Sequence, residues 1–361
     1  MGPKLDDFEI ISTIGRGSHG TVRKVKRNCD GKILVWKELH YASMNIAEKQ
    51  GLVLEVNVLR ELNHPNIVRF YGHYVDRQAG MLYIFMEYCP GGDLHKIIQK
   101  CKKTDSFLEE GFIWRVLKQV CEALRTCHDK HTKGGEIILH RDIKPANIFL
   151  DKDGNIKVGD FGLARTLNSG GSLARTFVGT PYYMSPEVID GRAYNEQSDM
   201  WSLGCLIYEL CTLKPPFDAS SQAELCSKIK SGKFDRIPVH YSKELWCTIQ
   251  ELLTLEDFLR PTSFLLLYNQ TLKKNTDLKK DESEVMFDSL MESINKEATK
   301  KDSSFSEEES NSFGSLGNTV KEREKSEEEK RLEESVDEGS RNNVKRISVK
   351  ERRRTKRTSS V

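Results

Sequence analysis

The chain is 361 residues long, 37% hydrophobic and 30% charged, and its 56 basic and 54 acidic side chains leave a net charge of +2. That length suits one large two-lobed enzyme with a tail, or two to three average domains, and the low apolar content predicts that part of the chain cannot build a core. Near-neutral charge excludes a global attraction to nucleic acid or membrane, so no direct nucleic-acid binding is expected, and the longest apolar stretch, residues 201–211, is too short for membrane insertion.

Residues 8–14 read as a β-branched strand running into Gly15-Arg16-Gly17-Ser18-His19-Gly20-Thr21-Val22. A second strand, not a helix, follows the last glycine. That separates a phosphate-covering hairpin from a dinucleotide fingerprint. Gly15, Gly17 and Gly20 would let the backbone approach phosphate oxygens, and Ile14 and Val22 flank the turn as the two sides of an adenine slot. A third strand, residues 33–37, ends in Lys37, placed to hold α- and β-phosphates. The helix over residues 47–62 supplies its partner. Glu55 is chosen because Leu52, Val56 and Leu59 form an apolar stripe that turns it towards the sheet.

After the break at His64-Pro65-Asn66 come strands over 67–74 and 81–86. The segment from Glu87 to Asp93 then reads as a short hinge entering a helix capped by Asp93. Backbone groups of Glu87 and Cys89 could pair with an adenine edge, with Met86 behind them. Residues 110–131 are helical, and Phe149, on a short strand, could floor the same slot.

Between them lies His140-Arg141-Asp142-Ile143-Lys144-Pro145-Ala146-Asn147. A hydroxyl attacking a phosphoryl group needs a carboxylate to orient it and take its proton, and Asp142 is that candidate. Lys144 would neutralise the transferring group, and Asn147 can offer an amide oxygen to magnesium. Asp160-Phe161-Gly162 adds a second carboxylate, Asp160, for the metal. Residues 160–187 then carry glycines and hydroxyls with little periodicity, the composition of a mobile loop. A buried positive charge at Arg141 calls for an anion. Thr176 is the preferred phosphate carrier, with Ser172 as runner-up and Thr180 facing the substrate. Further on, helix 198–213 reads as buried, Asp199 as a cap or brace of the 140–147 loop, and Glu187 and Arg260 as a buried pair.

From residue 273 the chain lacks Trp, Tyr and Cys, and Lys, Glu and Ser dominate. Residues 272–361 therefore read as a mostly disordered charged tail, in which 285–294 could form a short amphipathic helix (Met286, Leu290, Ile294) and 345–357 is a basic cluster. The 9 cysteines include no Cys-x-x-Cys pair and sit largely in apolar stretches, which predicts a reducing compartment and a soluble intracellular protein. Cys127, His128 and His131 lack further ligands for a metal site.

By these residues the sequence resembles a eukaryotic protein kinase across its core, and Lys144 is similar to the serine/threonine type. The finer resemblance is to the NIMA-related kinases, and within them to the subgroup acting at centrosomes in mitosis. It rests on residues 35–39 (Val-Trp-Lys-Glu-Leu), 86–89 (Met-Glu-Tyr-Cys), the Gly-Gly step before His140, and 176–187. The resemblance implies an α+β, bilobal kinase fold over 8–271: a small β-rich lobe 8–86, hinge 87–92 and a mainly helical lobe 93–271. It also implies Mg2+ and ATP as cofactors and protein substrates phosphorylated on Ser or Thr near an upstream apolar residue. Roles in centrosome, spindle or cilium control are implied too, with a cytoplasmic and nuclear location. The tail has no sustained heptad array, so a coiled-coil homodimer is not expected. Two alternatives stay open: an inactive kinase-fold scaffold, and an active kinase with no mitotic role.

Overall fold

The computed structural model describes residues 3–17, 20–129, 137–161 and 181–277. Strands β1 (Phe8–Gly17), β2 (Gly20–Arg27) and β3 (Ile33–His40) form a meander, and helix α1 (Ile46–Glu61) crosses back before β4 (Phe70–Asp76) and β5 (Met81–Glu87). The resulting sheet is antiparallel throughout, in the order β1-β2-β3-β5-β4. Below it lie α2 (Leu94–Thr104), α3 (Glu110–His128), the two-stranded β6 (Ile148–Leu150) and β7 (Ile156–Val158), α4 (Pro186–Ile189), α5 (Glu196–Thr212), α6 (Gln222–Ser231), α7 (Lys243–Leu252), α8 (Ser263–Tyr268) and α9 (Gln270–Asp277). This is a bilobal α+β fold, with a sheet-rich lobe followed by a helical one.

Helix starts follow capping chemistry. Asn45 and Glu48 form a reciprocal capping box on α1, so Glu48 is a structural end-group. Asp93 caps α2 by accepting from the Lys96 N–H at 2.9 Å, which commits its carboxylate locally. Asn195, not Asp199, caps α5.

The upper sheet carries a buried cluster on each face. One face, through Leu39, Leu82 and Ile84, joins the main core with Leu52, Val56 and Leu59 of α1. The other carries a separate cluster of Phe8, Val25, Leu34, Trp36 and Phe85. Trp36 meets Phe8, Tyr83 and Phe85 edge to face, with centroids 5.6–6.0 Å apart. Its buried indole N–H needs an acceptor and donates to Glu38 Oε1 at 2.9 Å, where Arg23 Nε also donates at 2.7 Å. In the helical lobe, α5 is buried along almost its whole length, and Trp201 stacks on Phe217 at 5.7 Å.

Gly20 is a position where only glycine fits. Its φ is +126°, and a Cβ there would lie 1.8 Å from the Glu38 carbonyl oxygen on β3. The close approach seen is to protein backbone, which differs from the phosphate role expected of this glycine. Gly20→Ala should cost about 1–3 kcal/mol in chemical denaturation. Gly15→Ala, whose Cβ would meet only Val22 at 3.7 Å, should stay within about 1 kcal/mol of the parent. Equal losses in the two variants would contradict this packing account.

Candidate active site

The loop after α3 is held by one buried carboxylate. Asp199 near the start of α5 accepts from the His140 N–H at 3.0 Å, the Arg141 N–H at 2.9 Å, the Tyr194 hydroxyl at 2.6 Å and His128 Nε2 at 2.8 Å. Burial alone would raise its pKa, but the bond and charge of His128, with Tyr194, hold it below the ordinary carboxylate value. These bonds fix Arg141 at φ +66°, a conformation that a non-glycine residue adopts only when its surroundings impose it.

His140 ties this loop to the next. Its Nδ1 accepts from the Asp142 N–H at 3.3 Å, and its Nε2 donates to the Gly159 carbonyl at 3.1 Å. The Gly159 N–H in turn donates to the Asn147 carbonyl at 3.0 Å. The imidazole packs against Phe161 at 4.6 Å, and burial pushes its pKa down, which favours the neutral ring these two bonds require.

On this frame Asp142, Lys144 and Asn147 converge. Lys144 Nζ lies 2.8 Å from Asp142 Oδ2, and Asn147 Nδ2 donates to both the carbonyl and Oδ2 of Asp142 at 2.8 Å. Using its amide nitrogen in this way leaves Asn147 to present its oxygen, the atom a hard cation prefers. Asp160, at φ +53°, pairs with Lys37 Nζ at 2.6 Å. Burial acts to raise the Asp160 pKa, but the Lys37 charge and hydrogen bond outweigh it and keep the group ionised. Two carboxylates, an amide oxygen and two ammonium groups therefore line one region, a donor set that fits a magnesium-bound polyphosphate.

Beside it, Ile14 is exposed and Val22 half-buried across the β1–β2 hairpin, and Met86 packs on the main core. Phe149 lies beneath Gly159, where any Cβ would meet its ring at 3.0 Å and Val68 at 2.8 Å. The expected hinge role is narrowed by the bonds already present. The Glu87 N–H donates to the Arg69 carbonyl at 2.9 Å and the Cys89 carbonyl accepts from Gly92 at 3.2 Å, so these two groups are already engaged within the chain. Burial, with the nearby Glu87 charge, pushes the Cys89 thiol up to about 12.

Lys37 has Asp160 as its partner among the described residues. The Glu55 side chain lies outside them, as do Ser172, Thr176, Thr180 and Gly162. Sequence reasoning missed His128 and Tyr194 as partners of Asp199, and Lys157, whose ammonium pairs with the Glu87 carboxylate at 2.9 Å and so links β7 to the hinge. It also missed Glu38 as the acceptor of Trp36. Only the odd indole in strand β3 could have signalled a partner there.

Below the lobe junction, Glu187 and Arg260 are both buried and form a two-pronged pair, Nη1–Oε1 at 3.0 Å and Nη2–Oε2 at 3.3 Å, as the sequence predicts. Burial pushes the Glu187 pKa up, but the Arg260 bond and charge bring it below the ordinary value.

These shifts give the stability a pH dependence. His140 and His64 are both shifted below the ordinary imidazole value of 6.5 by burial, so under acid conditions the unfolded chain binds protons that the native state refuses. Glu187 and Asp199 add carboxylates with lowered native pKa, whose contribution is present above their unfolded values of 4.5 and 3.8 and is lost as pH falls through the native ones. The melting temperature should be level between about pH 7 and 8, decline as pH falls below 6.5, and drop more steeply under pH 4.5. A flat profile in calorimetry between pH 7 and 5 would contradict the neutral buried imidazoles.

Residues 8–312 match the protein kinase domain. Serine/threonine-protein kinase Nek2 of Homo sapiens is 55% identical over 282 residues, covering 78% of this chain and 62% of that protein. A probable serine/threonine-protein kinase nek2 of Dictyostelium discoideum is 52% identical over 257 residues, covering 71% of this chain and 60% of its own length. The G2-specific protein kinase nimA of Emericella nidulans is 40% identical over 291 residues, covering 75% of this chain and 42% of that one. The chain thus spans about three-fifths of the length of the first two relatives and less of the third.

Proposed function

The chain belongs to the protein kinase family, in its NIMA-related branch, and from that premise we propose that it transfers the γ-phosphoryl group of ATP to serine or threonine hydroxyls of protein substrates. The observation that carries this is the triangle of Asp142, Lys144 and Asn147, set beside the Lys37–Asp160 pair. Asp142 orients the incoming hydroxyl and accepts its proton. Lys144, 2.8 Å away, offsets negative charge at the reacting phosphoryl group. Lys37 holds the α- and β-phosphates, and the oxygens of Asn147 and Asp160 hold magnesium. When bound, that magnesium would neutralise charge on the phosphates. Ile14, Val22, Met86 and Phe149 enclose the purine, and the Cys89 N–H and Glu87 carbonyl read its edge.

The wider role follows from the relatives. The name of the Emericella nidulans protein is G2-specific, which supports a cell-cycle role for this chain; a location in cytoplasm and nucleus, at centrosome or cytoskeleton, is proposed with it. Phosphorylation of Thr176 is the proposed switch, with Arg141 as the base it answers.

The test is transfer of labelled phosphate from Mg-ATP to a serine/threonine peptide array by the full chain, with Lys37→Met as control. Label on serine or threonine, lost in the control, supports the reading. No transfer by correctly folded, Thr176-phosphorylated chain would reduce the protein to a kinase-fold scaffold.

A further inference from the structure

The base of the helical lobe carries an aromatic surface that the proposed reaction does not use. On α8, Phe264, Leu265 and Tyr268 are 47%, 59% and 56% exposed. Phe264 and Tyr268, one helical turn apart, lie with ring centroids at 4.6 Å. Two cations flank them. The Arg125 guanidinium from α3 lies 4.8 Å over Phe264 and 5.8 Å over Tyr268, and Lys273 Nζ from α9 lies 5.0 Å over Tyr268. Single exposed apolar residues need no explanation, but a contiguous aromatic strip rimmed by charge marks a docking surface.

The chain itself supplies a segment with the complementary pattern. In residues 281–294 (Asp-Glu-Ser-Glu-Val-Met-Phe-Asp-Ser-Leu-Met-Glu-Ser-Ile), Met286, Leu290 and Ile294 recur every four residues, and Phe287 and Met291 widen the same stripe. Glu284, Asp288 and Glu292 also recur every four residues and would run along one flank of that stripe. Five carboxylates and no basic residue occur in this stretch, opposite two cations on the receiving surface.

The distance is also short enough. The described chain ends with α9, 8 residues beside the aromatic strip and about 12 Å long. Residues 278–284 can span roughly 23–25 Å when extended, enough to bring 285 back to α8. The tether also gives the segment a millimolar-range effective concentration, so a contact too weak for two separate molecules is populated within one.

We propose that residues 284–294 dock in cis as an amphipathic helix on the Phe264–Leu265–Tyr268 surface, with their acidic flank against Arg125 and Lys273. The apolar stripe covers the rings and the carboxylates replace solvent around the two cations. A helix laid in an apolar groove with charge along its rim is a general recognition mode, here used by the chain on itself.

The experiment is hydrogen-exchange mass spectrometry on the full chain at two concentrations tenfold apart. The parent is compared with Phe287→Asp/Leu290→Asp, whose substitutions lie outside the described residues. Amides of 263–277 should exchange at least fivefold faster in the double variant, and the parent's protection should not change with concentration. Arg125→Glu should show the same loss, and Arg125→Glu with Asp288→Arg should recover at least half of it. Equal exchange in parent and double variant overturns the proposal. So does protection that rises with concentration, which would mean that a second copy covers the surface, and so does a charge swap that recovers nothing.

Discussion

Asp142→Asn is expected to lower turnover by about 10²–10⁴-fold while changing stability by no more than about 0.5 kcal/mol. Asparagine keeps one oxygen that can accept from Lys144 Nζ and Asn147 Nδ2, both at 2.8 Å from the native carboxylate, so the local frame survives. What it loses is the ability to take a proton from the attacking hydroxyl. The expected pattern is a fall in kcat with an unchanged KM for ATP, because Asp142 is assigned to the hydroxyl and not to the nucleotide. Retention of more than about a tenth of parent turnover would remove Asp142 from the role of proton acceptor.

Glu187→Ala should cost about 3–5 kcal/mol, among the largest losses available to one substitution in this fold. The residue is fully buried, and its loss strands the Arg260 guanidinium in the interior. Arg260 keeps the carbonyls of Gln197 and Thr254 and its position 5.1 Å over Trp201, but none of these carries the opposite charge. Ser198 also loses its closer acceptor, Glu187 Oε1 at 2.7 Å, keeping Asn195 Oδ1 at 3.3 Å. A melting-temperature drop of roughly 6–20 °C is expected for a domain of this size. Glu187→Met/Arg260→Met should lose less than Glu187→Met alone, because removing both charges leaves no uncompensated ion. A double variant worse than the single one would mean that Arg260 acts mainly through the carbonyls and Trp201.

How much was legible depended on the range of the interaction. The gathering of Asp142, Lys144 and Asn147 was readable because all three lie on one short loop, where spacing determines geometry. The Glu187–Arg260 pair was readable because two charges in apolar surroundings must find each other. Asp199 was readable as a brace, but its partners were not: His128 lies on α3, far away in sequence, and nothing in the residues marks Tyr194, just before α5, as reaching back to it. The second buried face of the upper sheet had no sign in the sequence. Leu34, Val35, Trp36 and Lys37 of β3 are all buried because an aromatic cluster covers that face. Gly20 was singled out for the right lack of a side chain, but what presses on it here is the Glu38 carbonyl.

The half-buried hinge thiol has a consequence for reactivity. With burial and the Glu87 charge pushing its pKa up to about 12, Cys89 stays a thiol near pH 7, and only the thiolate attacks an electrophile. A cysteine-directed reagent bound beside Met86 and Phe149 would therefore find a nearly inert sulfur. Alkylation and mild oxidation would instead fall first on the exposed Cys29 and Cys247, away from the hinge.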